Sequence, residues 1–260
     1  MVNNYYLLMH GRGGDLGNFK VFSDSHKKEI QKADKDAIIV QESIDRARRF
    51  REVLEAWPVA NKIKELHIWS HSIGAGLFLG YHDPLLSTAR NALIAQVTAM
   101  GRNPTFEEVR TTEVGALFTD DLLASPYTAT KGIVAPKFAK GAFIKLWGCN
   151  AAISDWVYSD TAADGSLIVD PADTNAVYYW RALNERNRPK PSIAQALADF
   201  FGVRVFGASS GSNIQVLKDG AWQGTDAYHK KFHKFPPGSL PHRLHPGKGN
   251  YGAYDPTPTP

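Results

Sequence analysis

Five short apolar runs, at residues 5–9, 37–41, 66–70, 142–147 and 203–208, are separated by stretches with apolar residues at helical spacing, and this alternation restricts the folds open to the chain. Continuous apolar runs of this length suit strands that are covered on both faces. Two helices are especially legible. Ala47, Phe50, Val53, Leu54 and Trp57 form one stripe, with Arg46, Arg48, Arg49 and Arg51 on the other faces and Pro58 as the stop. Ser192 caps a second, built on Ile193, Ala196, Leu197, Phe200 and Phe201 and closed by Gly202. Leu86, Leu93, Val97 and Met100 mark a further helix, residues 106–123 suggest one or two more, and 173–187 another. Residues 77–79 read as a short extension of the third strand, 125–141 as turn-rich, and 214–222 as a hairpin at an edge. Strands alternating with helices imply an α/β fold, a three-layer α/β/α sandwich around a mostly parallel sheet of five or six strands. Residues 1–235 read as one domain, and 236–260, rich in Pro, Gly and His, as a C-terminal extension.

Composition narrows the function classes. The chain has 260 residues, is 43% hydrophobic and can bury a full core without staples. Its single cysteine excludes an internal disulfide and a cysteine-based zinc site, which leaves a buried small hydrophobe or a reactive thiol. The net charge of +4 comes from Lys and Arg spread along the chain, so nucleic acid is not the expected partner. No apolar run approaches the roughly 20 residues that span a bilayer. The N-terminus lacks a signal-peptide pattern, which suits a protein made in the cytoplasm.

In a parallel sheet, ligands sit outside the carboxyl ends of the strands. His10, His71, Cys149 and Ser209 all fall just past such ends, so this topology gathers them on one rim. Two nucleophilic chemistries compete for it. In one, Cys149 attacks a carbonyl as a thiolate while His71 takes the thiol proton and returns it to the leaving amine. Backbone N–H groups of Ser72 and Cys149 would hold the oxyanion, and the small residues Ser72, Gly74 and Gly148 leave room for a peptide. In the other, Ser72 attacks from a degraded nucleophile elbow, Ser70-His71-Ser72-Ile73-Gly74, with serine in place of the first glycine. A third class is a binding module that keeps the sheet without the chemistry, with the aromatic and basic stretch 228–235 as its surface.

The strand ending in Ser70-His71, the strand ending in Gly148-Cys149 and the segment Ser192-Ile193-Ala194-Gln195-Ala196-Leu197 through Val205-Phe206-Gly207-Ala208 together resemble the caspase-like cysteine peptidase clan. That clan includes clostripain-, gingipain- and separase-like domains and the peptidase domains of bacterial toxins. The resemblance implies a His-Cys dyad of His71 and Cys149, oxyanion donors at Ser72 and Cys149, no cofactor and no metal, and a protein or peptide substrate. It also implies a toxin or effector exported without a signal peptide and held in check by an inhibitory or immunity protein. The long interval between His71 and Cys149 then reads as a helical insertion at 86–127. Asp155, Asp160 and Asp170, with Ser209, read as the lining of a pocket for a basic residue. The rival esterase resembles the α/β-hydrolases through the His10-Gly11 loop and Ser72. It would draw its acid from Asp170 or Asp226 and its histidine from His229, His233 or His242.

Overall fold

A computed structural model describes residues 3–12, 19–74, 76–80, 84–102, 115–154, 156–157, 181–182, 191–224, 242–246 and 250–258. In chain order the elements are β1 (Asn4–Gly11), α1 (Phe19–Ala33), β2 (Ala37–Ile44), α2 (Ala47–Ala56), β3 (Ile63–Trp69), β4 (His71–Ile73) and β5 (Gly76–Phe78). Then follow α3 (Pro84–Ala99), β6 (Ala116–Phe118), a 3-10 turn (Thr119–Leu123), α4 (Tyr127–Val134) and β7 (Phe138–Leu146). After β7 come β8 (Trp156–Val157), β9 (Arg181–Ala182), α5 (Ile193–Phe201), β10 (Arg204–Gly207), β11 (Ser212–Lys218), β12 (Ala221–Gly224), β13 (His242–Pro246) and β14 (Gly252–Tyr254).

Six strands form the central sheet in the order β14-β10-β7-β3-β1-β2. Its pairings are parallel from β2 across to β10, and β14 alone runs antiparallel at the edge. The alternation along β1 explains why its apolar run is unbroken. Leu7 and Met9 join a core with Phe50, Val53 and Leu54 of α2 and Leu197 and Phe201 of α5. Tyr6 and Leu8 join a second core with Phe19, Phe22 and Ile30 of α1, and with Ile214 and Leu244 of β11 and β13. Both faces of the strand are therefore buried, at roughly 1.5–3 kcal/mol for each large apolar side chain. The helix ends follow local rules. Ser192 Oγ accepts from the N–H of Gln195 at 3.2 Å, and Gly202 ends α5 at φ +68°.

Several expectations are corrected. Residues 77–79 do not extend β3: Gly76–Phe78 pairs antiparallel with β4 in a separate sheet, β4-β5-β6. Residues 116–118 are a strand rather than helix, paired antiparallel with β5 and fully buried. The stretch read as turn-rich holds α4, whose Tyr127, Thr130 and Val134 bury one face at spacings of three and four, and β7 already begins at Phe138. The expected hairpin is present as β11-β12, turning at Asp219-Gly220 with both φ positive. The C-terminal segment supplies β13, paired with β11, and β14. Among the described residues no helix is long and apolar enough to cross a membrane. The expected helix at 173–187 lies outside the described residues except for 181–182, which are strand.

Candidate active site

Because β1, β3, β7 and β10 are parallel, their carboxyl ends share one edge of the sheet. The register pairs Ile68 with Leu146, and the N–H of Trp147 donates to Ile68 O at 2.9 Å. The chain leaves β3 through Ser70 into His71, and leaves β7 through Trp147 and Gly148 into Cys149. The two exits touch. Ser72 Oγ donates to the carbonyl of Cys149 at 2.5 Å. A side chain on Gly148 would place its Cβ 2.7 Å from Ser70 O and 2.9 Å from Ser72 Cβ, so only glycine allows this approach. Past Cys149, Asn150 takes φ +57°, a conformation asparagine tolerates better than most residues.

The turn that carries Cys149 is held from two further directions. Asn150 N donates to Ser210 O and Ala152 N to Ala208 O, both at 3.0 Å, which ties it to the end of β10. Ala194 N, in the first turn of α5, donates to Ala151 O at 3.1 Å. Ile193 N donates to Gly74 O at 2.7 Å, so the start of α5 also anchors the loop that follows His71. His71 is half-buried, with its ring edge-on to Phe19 at 5.1 Å, and Cys149 is half-buried.

His71, Ser72, Cys149 and the loop of Ser209 thus converge on the rim, Ser209 itself being exposed. Ser72 differs from a nucleophile elbow. It lies in a strand rather than a strand-to-helix turn, is 4% exposed, and commits its hydroxyl to Cys149 O. His10 lies within β1 opposite Ser43 and Trp69, where burial pushes its imidazole pKa down. His242 opens β13 opposite Val216. Asp155, Asp160, Asp170, Asp226, His229 and His233 lie outside the described residues. Among the described residues no group of three or more His, Cys, Asp or Glu is arranged to hold a metal ion.

Beneath the rim lies a cluster that sequence patterning alone does not single out. His67 is 2% exposed, with Nε2 2.9 Å from Glu65 Oε2, and its Nδ1 accepts from the indole N–H of Trp147 at 3.1 Å. Those partners assign the proton to Nε2. Burial holds this imidazole well below its ordinary pKa, so it is neutral. His26 of α1 adds Nε2 at 3.4 Å from His67 Nε2 and Nδ1 at 3.1 Å from Glu29. Trp69 and Trp147 stack at 5.6 Å and 4°, and Lys145 Nζ lies 4.0 Å from the Trp147 ring and 4.3 Å from that of Tyr251. A signal exists in the chain: Glu65, His67 and Trp69 alternate along β3 beside Lys145 on β7 and Trp147 just past its end.

No family model, no curated protein and no solved structure matches the chain. The reading of the rim therefore rests on its own geometry.

Proposed function

We propose that the chain is a cysteine endopeptidase of caspase-like architecture, a three-layer α/β/α sandwich with Cys149 as nucleophile and His71 as general acid and base. The observation that carries this reading is the contact between the two strand exits, made by the Ser72 hydroxyl on the Cys149 carbonyl and by the close approach of Gly148. The thiol proton passes to the His71 imidazole and the sulfur attacks the peptide carbonyl. Backbone N–H groups at Ser72 and Cys149 receive the oxyanion, and the His71 imidazolium protonates the departing amine. Water then hydrolyses the thioester. Asp155 and Asp170 supply the charge that selects a basic residue before the cut bond, with Ser209 on the same rim. A toxin or effector role, restrained by an immunity protein, follows from the same resemblance.

The test pairs a thiol-directed probe and a serine-directed fluorophosphonate with hydrolysis of a mixed peptide library. The expected result is labelling at Cys149 that His71→Ala abolishes, with cleavage after Arg or Lys that Cys149→Ala removes and Ser72→Ala only weakens. Fluorophosphonate labelling at Ser72 would replace this reading with the esterase, and silence to both probes would leave a binding module.

A further inference from the structure

β3 runs directly into His71, and it also holds the residue that leads into Cys149. The last pair in the ladder between β3 and β7 is Ile68 with Leu146. Just past it, Trp147 ties the chain back to β3 twice. Its backbone N–H donates to Ile68 O at 2.9 Å, and its indole N–H donates to His67 Nδ1 at 3.1 Å. His67 stands four residues before His71, and Trp147 two residues before Cys149. One strand therefore sets where both groups leave the sheet.

The far side of the imidazole is arranged to keep that bond. His67 Nε2 donates to Glu65 Oε2 at 2.9 Å, and His26 Nε2 lies 3.4 Å from the same nitrogen. A carboxylate only accepts, so Glu65 keeps the proton on Nε2 and leaves the Nδ1 lone pair turned to the indole. The opposite tautomer would set N–H against N–H at Trp147. For packing alone, an imidazole is a poor filler of a site that is 2% exposed, because both of its nitrogens must be satisfied there. The Trp147 ring stacks on Trp69 at 5.6 Å and 4°, and meets Tyr251 edge-on at 5.5 Å. Stacking confines an indole to a plane and lets it turn within that plane, whereas a hydrogen bond from its N–H fixes the direction.

We propose that His67 is a positioning residue for the nucleophile: it fixes the indole of Trp147, and through it the Gly148 turn that presents Cys149 to His71. No proton leaves His67 in this role. Glu65 acts one step further back, by setting the tautomer. The inference rests on Cys149 being the nucleophile proposed above.

Alkylation of Cys149 by iodoacetamide at neutral pH, in the full chain, separates this role from packing. His67→Leu removes the acceptor, and Trp147→Phe removes the donor while keeping a ring in the stack. Each is expected to slow labelling by about tenfold, the effect of one lost hydrogen bond. The double variant is expected to label no more slowly than either single one, because both residues act through the same bond. His67→Asn, whose side-chain oxygen can stand in for Nδ1, is expected to recover most of the rate. Packing alone ranks Leu above Asn, which is smaller and polar, so the two roles order these variants oppositely. Trp147→Phe carries the test if His67→Leu does not fold. Wild-type labelling in Trp147→Phe, or slower labelling with Asn than with Leu, would overturn the proposal even if peptide hydrolysis is found. Labelling that depends on His67 in a chain that hydrolyses no peptide would retain it and remove the peptidase reading instead.

Discussion

Gly148 carries more constraint than any other residue at the rim, because it is the point at which β7 can pass beneath the loop after β3. A methyl group there meets a backbone carbonyl at Ser70 and the side chain of Ser72, which cannot swing away without breaking its bond to Cys149 O. Gly148→Ala is expected to cost about 1–3 kcal/mol, as overpacking does, and to slow thiol labelling at Cys149 by moving the turn. A fall in urea midpoint together with a fall in labelling rate checks this. Gly132 is the matched control. It sits in α4 with open space around the position a methyl group would take, so Gly132→Ala is expected to stabilise by about 0.5–1 kcal/mol and to leave labelling alone.

At the scale of elements, β3 and β7 put an apolar stripe on one face and a polar, aromatic one on the other, and Lys145 shows what the second face costs. Burial first, and the nearby Arg243 next, push its pKa from 10.5 down to about 8. At about 1.4 kcal/mol for each pH unit this is a penalty on the order of 3 kcal/mol, part of which the cation–π contacts with Trp147 and Tyr251 return, at about 1–2 kcal/mol. The folded-state value lies below the unfolded one, so the penalty is complete below about pH 8 and fades as pH rises toward 10.5. Lys145→Met is therefore expected to stabilise by about 1–2 kcal/mol at pH 7, with the advantage shrinking at pH 10. Thermal unfolding at the two pH values measures it, and a less stable variant at pH 7 would refute the account. This face also marks where the sequence stops being informative. The strands of the parallel sheet and the helices α2 and α5 are legible because burial on two faces, or along one stripe, writes a continuous or periodic apolar pattern. The three-residue strands β4, β5 and β6 are too short to show a period, and β13 and β14 are strands because β11 and β10 offer them open edges. His67 stays hidden because one polar residue inside an apolar run looks like noise until its partner strand is known.

For the molecule as a whole, the position of β14 decides whether the rim is complete. It closes the sheet beside β10, and the residues after it reach across to α5: Thr257 N donates to Asp199 Oδ1 at 2.7 Å, and Gln195 Nε2 donates to Asp255 O at 2.8 Å. Arg204 meets Asp255 through two bonds of 2.7 and 2.8 Å, but both side chains are open to solvent. An exposed pair of this kind adds little, whereas the strand pairing, the Tyr254 bond to Ala152 and the Tyr251 ring are shielded and cooperative. Asp255→Ala is accordingly expected to leave the urea midpoint and Cys149 labelling nearly where they were. Deleting residues 250–258 is expected to lower the midpoint clearly and to abolish labelling, since the turn loses its hold at Ala152 and its cover over Trp147. A deleted chain that still labelled at the wild-type rate would mean that β3, β7 and α5 alone shape the rim, and that the C-terminal strand only finishes the sheet.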